Sequence, residues 1–370
     1  MNRSFRSLLL ICCLGLSPEY CQTSDTPSAP KNPESPLIEY SLTLDAFTAT
    51  KLPGDGSTTN LVRNFDVKSN QFDLDASTLT VQVTKGQFGL HFDTGYGQMF
   101  KTMSALDPWG GANRYFGQAY ISYKPFTKSD FTIDFGKFYT SVGAEVPDTA
   151  SNFQYSRSLL FTLGSPYYHF GLCSSASITK SFVVGAQVIN GWNDVVNNTH
   201  GHTIGLTSTL TTKYFNWTET YLMGPQPLFV ANSLFPDLTK RCQLIDSVLR
   251  LTPTPTWNAY VEVLYGGQGR VDVGHDKWYG VAGAVSIPLK LGWSVSPRWE
   301  FYNDAAGATS GQIQKLQELT GTLQYQVKKF PLIARLEFRG DFSDHAFFGG
   351  SKYQPTALMG LLYTFKGKIS

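Results

Sequence analysis

The sequence predicts an all-β protein, a transmembrane antiparallel up-and-down β-barrel of about 16 strands. One observation is the alternation of apolar and polar residues: in 331–341, Leu332 and Leu336 share one face, while Arg335 and Glu337 share the other. A period of two residues is typical of a β-strand. The second observation is that the connections between such segments are short and long in strict alternation. This order is typical of a barrel with short periplasmic turns and long extracellular loops.

Composition favours the same fold class and excludes others. A strand face that carries full charges fits a wall between lipid and water, because a sandwich core could not bury these charges without partners. Charged residues are only 16% of the chain, whereas soluble proteins carry roughly a quarter. Beyond the N-terminus, no apolar run is long enough for a membrane-spanning helix. The net charge of +2 argues against nucleic acid as a partner.

The N-terminus is typical of an exported chain. Arg3 and Arg6 precede the apolar run at 8–16, which is about half the length that a bilayer-spanning helix needs. The expected division of the chain is a signal peptide, a disordered periplasmic segment rich in Pro, Ser and Thr, and the barrel, at 1–21, 22–36 and 37–370. Cys173 and Cys242 both fall in the barrel, and their spacing leaves open whether they pair.

Sixteen segments carry the strand pattern, and most have about the length, roughly 9–11 residues, that a tilted strand needs to cross the hydrocarbon. They lie at 37–48, 74–84, 87–96, 115–124, 129–139, 166–176, 179–190, 201–211, 214–223, 243–252, 256–266, 277–287, 291–303, 315–327, 331–341 and 355–366. Tight connections such as Lys85-Gly86 and Thr212-Lys213 alternate with long ones such as 140–165 and 224–242. An even number of strands places both ends of the barrel domain at the periplasmic rim.

The predicted strand number indicates a water-filled interior. About eight strands close around packed side chains, whereas 16 to 18 strands leave a channel. The inward positions agree with a channel because they include Asp45, His91, Asp246 and Glu262. The alternative is that such residues form a salt-bridged plug in a closed barrel. The sequence shows no plug domain before the first strand, which favours the open lumen.

Three motifs occur in order in the middle of the chain. They are GKFYTSVGAEV, YSRSLLFTLGSPYYHFGL and VINGWNDVVNN, at 136–146, 155–172 and 188–198. The set resembles the Gly-Lys-Phe, Gly-Ala-Glu, Ser-Arg-Ser and Asn-Gly-Trp-Asn series of the β-barrel porin type 2 family, the OmpL-like porins of bacterial outer membranes. The resemblance covers roughly residues 115–210 and implies an outer-membrane porin.

The leading hypothesis is a passive channel for small hydrophilic solutes or ions. Its expected partners are outer-membrane lipid and these solutes, with the chain present as a homotrimer or a monomer. No cofactor, bound metal or nucleic acid is expected. The alternative, from another class, is a surface-structural or adhesive barrel whose long loops, such as 49–73 and 224–242, engage other surfaces.

The segment 140–165 is the predicted constriction. It is the third long connection, which commonly folds into the lumen of 16-stranded porins, and it carries Glu145, Asp148 and Arg157. The predicted pore wall consists of Arg298, Glu300, Arg335, Glu337 and Arg339, together with a more remote Arg250. Acidic loop groups that face a basic wall would create a transverse field that ranks ions by charge. The alternative is that Arg157 only pins the loop through an ion pair with Glu145 or a wall carboxylate.

Signals for an enzyme are poor. The sequence contains no G-x-S-x-G elbow, no phosphate-binding P-loop and no H-E-x-x-H or C-x-x-C pair. His200 and His202 share a strand face and could hold a metal, but solvated loop histidines are the commoner case. We therefore predict a protein without catalytic activity.

Overall fold

Each strand of the computed structural model pairs with the next in antiparallel order, and the last pairs with the first, which closes a barrel. The structure describes residues 35–52, 58–105, 107, 113–197, 199, 201–230, 233–254, 257–269 and 274–369. The sixteen strands in this part of the chain are β1 (Leu37–Lys51), β2 (Gln71–Lys85), β3 (Phe88–Tyr96), β4 (Phe116–Tyr123), β5 (Thr132–Tyr139), β6 (Tyr168–Thr179), β7 (Phe182–Ile189), β8 (Thr203–Thr211), β9 (Phe215–Val230), β10 (Ser233–Thr254), β11 (Trp257–Gly269), β12 (His275–Pro288), β13 (Trp293–Asp304), β14 (Gln314–Gln326), β15 (Leu332–Ser343) and β16 (Tyr353–Ile369).

The predicted barrel of 16 strands is confirmed, and each predicted segment overlaps one observed strand. The closing pair runs from Ile38 opposite Ile369 to Lys51 opposite Thr356. The predicted signal peptide and most of the segment 22–36 lie outside the described residues, as does His200 of the histidine pair. Among the described residues, no helix is both long and apolar enough to cross a membrane.

Side chains alternate between the two faces of the wall. On β1, Leu42 and Leu44 point outward and are 47% and 48% exposed, whereas the neighbouring Asp45 points inward and is 1% exposed. The same alternation places Leu336 of β15 outside and Arg335 inside. The outer surface is therefore an apolar band that suits lipid, and polar groups collect inside.

Part of the inner wall departs from the expected polar lining. Toward the rim of the long loops, β9 to β14 present buried apolar side chains to the interior: Leu222, Leu244, Leu264, Tyr302 and Leu316. At this end the strands are apolar on both faces, so the period-two pattern did not reveal what their inner face contacts. A covered apolar surface of this kind requires a partner inside the barrel.

Short helical elements lie in the connections. They are α1 (Gln98–Met103) and single turns at Asn113–Tyr115, Thr149–Ser151, Leu160–Gly164 and Lys290–Gly292. Helix α1 buries Met99 and Phe100 against Phe65 of the β1–β2 connection and Tyr168 at the start of β6. The long loops therefore fold toward one another over this side of the rim. Cys242 of β10 is buried and carries a free thiol, so it is not paired with Cys173.

Candidate functional site: a loop inside the barrel

The connection between β5 and β6, residues 140–167, lies inside the barrel; we name it the lumen loop. It leaves the wall after Tyr139 and returns at Tyr168. Between these points its residues contact strands on the far side of the barrel, including β10, β11, β13 and β15. The side chains that make these contacts come from the wall, at the inward positions of the strand pattern.

Wall carboxylates hold the loop by its backbone amides. Four inward-facing acids accept hydrogen bonds in this way: Asp246 from Gly143 N (2.7 Å), Glu262 from Ala144 N (2.9 Å), Glu300 from Leu159 N (2.8 Å), and Glu337 from Tyr155 N (2.6 Å) and Ser156 N (3.0 Å). A charged acceptor makes these bonds stronger than bonds between neutral groups. Loop amides that would otherwise need water are thereby satisfied without forming a sheet or helix.

Wall arginines hold the same loop by its carbonyl groups. Four guanidinium groups donate: Arg250 to Ala144 O, Arg298 to Ser156 O (2.8 Å), Arg335 to Thr149 O (2.9 Å), Asn152 O (2.7 Å) and Gln154 O (2.8 Å), and Arg339 to Arg157 O (2.5 Å). The contact of Arg250 differs from the expectation that it is remote from the loop. The acids of the wall thus bind the N–H groups of the loop backbone, and the arginines of the wall bind its carbonyl groups.

An ion cluster lies where the loop meets β13. Arg298 Nη1 contacts Glu145 Oε1 at 2.5 Å, and Arg298 Nε lies 2.9 Å from Glu318 and 3.1 Å from Glu300. Arg298 is 1% exposed, and each of the three carboxylates is at most 3% exposed. A buried charge is tolerated only when partners replace its hydration, and here one arginine serves three acids.

Arg157 braces the loop from within. Its guanidinium donates to Val146 O (3.0 Å), Pro147 O (2.5 Å) and Thr149 Oγ1 (2.9 Å), and it lies 3.9 Å from Asp75 of β2. Four of its contacts, including one to Tyr155 O, are with the loop itself. This geometry agrees with the alternative that Arg157 pins the loop. Its nearest carboxylate is Asp75 of the wall, whereas Glu145 pairs with Arg298.

The remaining predicted loop residue, Asp148, has a local role in the geometry. It is half-buried, and its carboxylate accepts from Ser151 Oγ (2.6 Å) and Ala150 N (3.4 Å), which caps the turn Thr149–Ser151. Seven of the nine predicted site residues are at most 3% exposed; Asp148 and Arg250 are the two that are half-buried. The nine residues therefore meet at the lumen loop, where most of them bind the loop backbone and Arg298 pairs with Glu145 and Glu300.

Tyr155 ties the loop to the seam between β1 and β16. Its hydroxyl donates to Asp45 Oδ1 at 2.5 Å, and burial raises the pKa of this phenol well above that of tyrosine in water, so it stays protonated as the donor. Its ring packs over Gly360 of β16, where an added Cβ would lie 2.3 Å from a ring carbon. The glycine is needed there because any side chain would displace the ring.

The apolar end of the loop covers the apolar inner wall. Leu159 and Leu160 are fully buried in one cluster with Leu264 and Tyr302. An added Cβ at Gly280 of β12 would lie 2.9 Å from Leu160, so a small residue admits the loop here. The alternation of apolar and polar residues did not indicate these contacts. The run SLLF within 155–172 could have indicated them. A loop surrounded only by lumen water gains nothing from consecutive apolar residues, so this run predicts an apolar surface against which the loop packs.

One comparison with known proteins shows the family of the chain. The family model described as "Putative beta-barrel porin-2, OmpL-like" matches residues 38–365. The chain belongs to this family. It is therefore a porin, a channel for solutes in the bacterial outer membrane, as predicted. A comparison with curated protein sequences gives no significant match.

Several solved structures of outer-membrane proteins have a similar fold. The outer-membrane channel DcaP of Acinetobacter baumannii has a TM-score of 0.61 and 10% identity, with 89% of this chain and 97% of DcaP covered. In-vitro folded OmpT of Vibrio cholerae, in a trimer form, has a TM-score of 0.60 and 10% identity, with 90% and 100% covered. The anion-selective porin from Comamonas acidovorans has a TM-score of 0.58 and 11% identity, with 90% and 99% covered. At these identities the likeness concerns the fold.

No group of three or more metal-binding side chains occurs among the described residues. The acids of the site instead have arginines and backbone amides as partners.

Proposed function

We propose that this porin is a passive diffusion channel in which the lumen loop narrows the path of small hydrophilic solutes or ions. The proposal rests on the hydrogen bonds by which wall side chains hold the loop backbone inside the barrel. A barrel of 16 strands encloses an aqueous channel, and a loop held inside it reduces the open cross-section. No cofactor or energy source enters this mechanism.

Two groups of residues have separate roles in the proposal. The constriction residues, carried by the loop, are Glu145, Asp148 and Arg157. The wall residues, which hold the loop in place, are Arg250, Arg298, Glu300, Arg335, Glu337 and Arg339. Because most of these charges have an opposite charge or a backbone partner within hydrogen-bond distance, their fields largely cancel in the lumen. We expect discrimination by solute size with weak preference between cations and anions.

We also propose that the channel assembles as a homotrimer in outer-membrane lipid. The apolar outer band can bury against either lipid or another copy, and a structure of similar fold is described in a trimer form. Nothing in the diffusion mechanism depends on this assembly, because each barrel encloses its own lumen.

Liposome swelling tests the channel. Vesicles that contain the purified protein should swell in isotonic monosaccharide, more slowly in a disaccharide, and not in a polysaccharide too large for the constriction. Vesicles without protein serve as the control. If protein-containing vesicles swell no faster than this control, the barrel is closed, and a surface-structural or adhesive role replaces the diffusion channel.

A further inference from the structure

A groove lined by basic side chains lies on the outer surface of the barrel; we name it the basic groove. It has a volume of about 350 Å³, and its lining includes Arg241 and Gln243 of β10, Gly267 and Gly269 of β11, and His275 and Lys277 of β12. These positions alternate along the strands with Cys242, Gln268 and Trp278, which are buried inside. The arginine, glutamine, histidine and lysine are exposed, so the basic groove opens away from the lumen.

The two glycines of β11 keep the floor of the basic groove low. Gly267 lies opposite Gln243 on one side and opposite Lys277 on the other. An added Cβ at Gly267 would lie 3.4 Å from Asp276 O, which is an ordinary contact, so the packing of the wall does not require a glycine there. The glycine instead provides space on the outer surface, where a ligand can approach the backbone between β10 and β12.

The basic groove lies at the level of the lipid headgroups on the extracellular side. It is at the end of β11, which is an odd-numbered strand and therefore ends at the same rim as β5, where the lumen loop begins. Along β11, the outward residues Trp257 and Tyr265 bracket the apolar outward positions 259, 261 and 263. Aromatic residues at both ends of an apolar stretch mark the two membrane interfaces. Gly267 is one outward position beyond Tyr265, about 7 Å further along the strand from the hydrocarbon.

The positive charges of the basic groove have no acidic partner on the outer surface. From Arg241 onward, the outward positions of β10 carry no carboxylate, and neither do those of β11 and β12. In the ranges that the structure describes, the side chains of His275 and Lys277 have no hydrogen-bond or ion-pair partner. Arg241 Nη2 contacts Met223 Sδ, which is a weak acceptor. The groove therefore offers N–H donors and positive charge that a negatively charged ligand would satisfy.

We propose that the basic groove binds a phosphate group of lipopolysaccharide, the glycolipid in the outer leaflet of the bacterial outer membrane. Guanidinium and ammonium groups form charge-assisted hydrogen bonds with phosphate, and basic clusters at headgroup level attract anionic lipids. The phosphates of this glycolipid are attached to glucosamine, whose hydroxyl groups the amide of Gln243 can bind at the same time. Its acyl chains would lie along the apolar wall below the groove, over the exposed side chains of Ile245 and Val263. The inference depends neither on the diffusion channel nor on the assembly proposed above.

Binding of lipid A, the phosphorylated anchor of this glycolipid, tests the site. The purified porin in detergent is titrated with diphosphorylated lipid A, with the same lipid after removal of its phosphates, and with inorganic phosphate, and the bound molecules are counted by native mass spectrometry. Diphosphorylated lipid A should bind at lower concentration than the other two. Equal binding of the two lipids, or binding of inorganic phosphate as tight as that of lipid A, would overturn the proposal.

Substitutions locate the site on the wall. Lys277→Gln should weaken the binding of lipid A roughly fivefold, since a basic residue near an anionic membrane surface contributes about 1 kcal/mol. Lys315→Gln is the matched control, because Lys315 is also exposed near the long-connection rim but lies on β14, outside the groove. Gly267→Leu fills the groove without a change of charge and should weaken binding as well. Equal losses in the two lysine variants, or unchanged binding by Lys277→Gln or Gly267→Leu, would contradict the assignment.

Discussion

At the scale of single residues, the charged side chains act mainly on each other and on the loop backbone. The sequence could place Arg298 and Glu145 inside the barrel, but not pair them, because 153 positions separate them. It gave no indication that Arg335 would bind three backbone carbonyls. Carbonyl groups occur at every position, so a sequence pattern cannot show which of them a distant arginine selects.

Arg298 is the residue on which the site's electrostatics depend most. Arg298→Met removes the cation shared by Glu145, Glu300 and Glu318, and the carboxylates remain buried without it. We expect the free energy of unfolding to fall by about 3–5 kcal/mol, as for other buried ion clusters that lose one partner. Urea unfolding in lipid vesicles, followed by tryptophan fluorescence, measures the change.

The control for this prediction is Arg114→Met. Arg114 is exposed near the start of β4, so its loss should change the free energy of unfolding by no more than about 0.5 kcal/mol. Equal unfolding curves for the two variants would mean that the Arg298 cluster contributes nothing to stability.

At the scale of elements, sequence pattern was sufficient for strands and insufficient for the loop. Strands such as β15 have an apolar face and a charged face, so their bounds and orientation could be predicted. The inner side of β11 could not, because Leu264 is as apolar as its outward neighbours Val263 and Tyr265. Which face such a strand buries depends on what fills the barrel, and here that is the lumen loop.

Shortening the lumen loop should open the channel. Deletion of 146–154 removes residues of the lumen loop and no residue of the sixteen wall strands. We expect a larger single-channel conductance in planar bilayers, because the loop obstructs the lumen and the barrel pairing does not include it. Deletion of 308–312 in the β13–β14 connection, at the rim, is the matched control and should leave conductance unchanged.

The same deletion should change ion preference in a defined direction. Arg335 loses its three loop acceptors, Thr149 O, Asn152 O and Gln154 O, so its charge faces the lumen water and attracts anions. The reversal potential in a salt gradient should move toward anions, and Arg335→Gln in the shortened protein should reverse this. A conductance that stays at the value of the unshortened protein would mean that the loop is not the constriction.

At the scale of the whole molecule, the order of hairpins fixes how the barrel sits in its membrane. Connections after odd-numbered and after even-numbered strands lie at opposite rims, because consecutive strands are antiparallel neighbours throughout. The longest connections, 52–70, 97–115 and 140–167, all follow odd-numbered strands. The predicted long connection 224–242 is wrong, because β9 continues to Val230 and β10 begins at Ser233. The alternation of rims could be predicted from sequence, since turn length and strand period are both local. In porins the short turns face the periplasm, so the lumen loop enters from the extracellular side.

Epitope insertion tests this orientation. One tag is placed between Gly349 and Gly350, exposed glycines in the β15–β16 connection, and the other between Lys328 and Lys329 in the short β14–β15 turn. Both sites lie in exposed connections outside the sixteen strands, so neither insertion interrupts the pairing of the wall strands. An antibody should bind the first tag on intact cells and the second only after the outer membrane is permeabilised. The opposite labelling would invert the barrel, and the lumen loop would then narrow the channel from the periplasmic side.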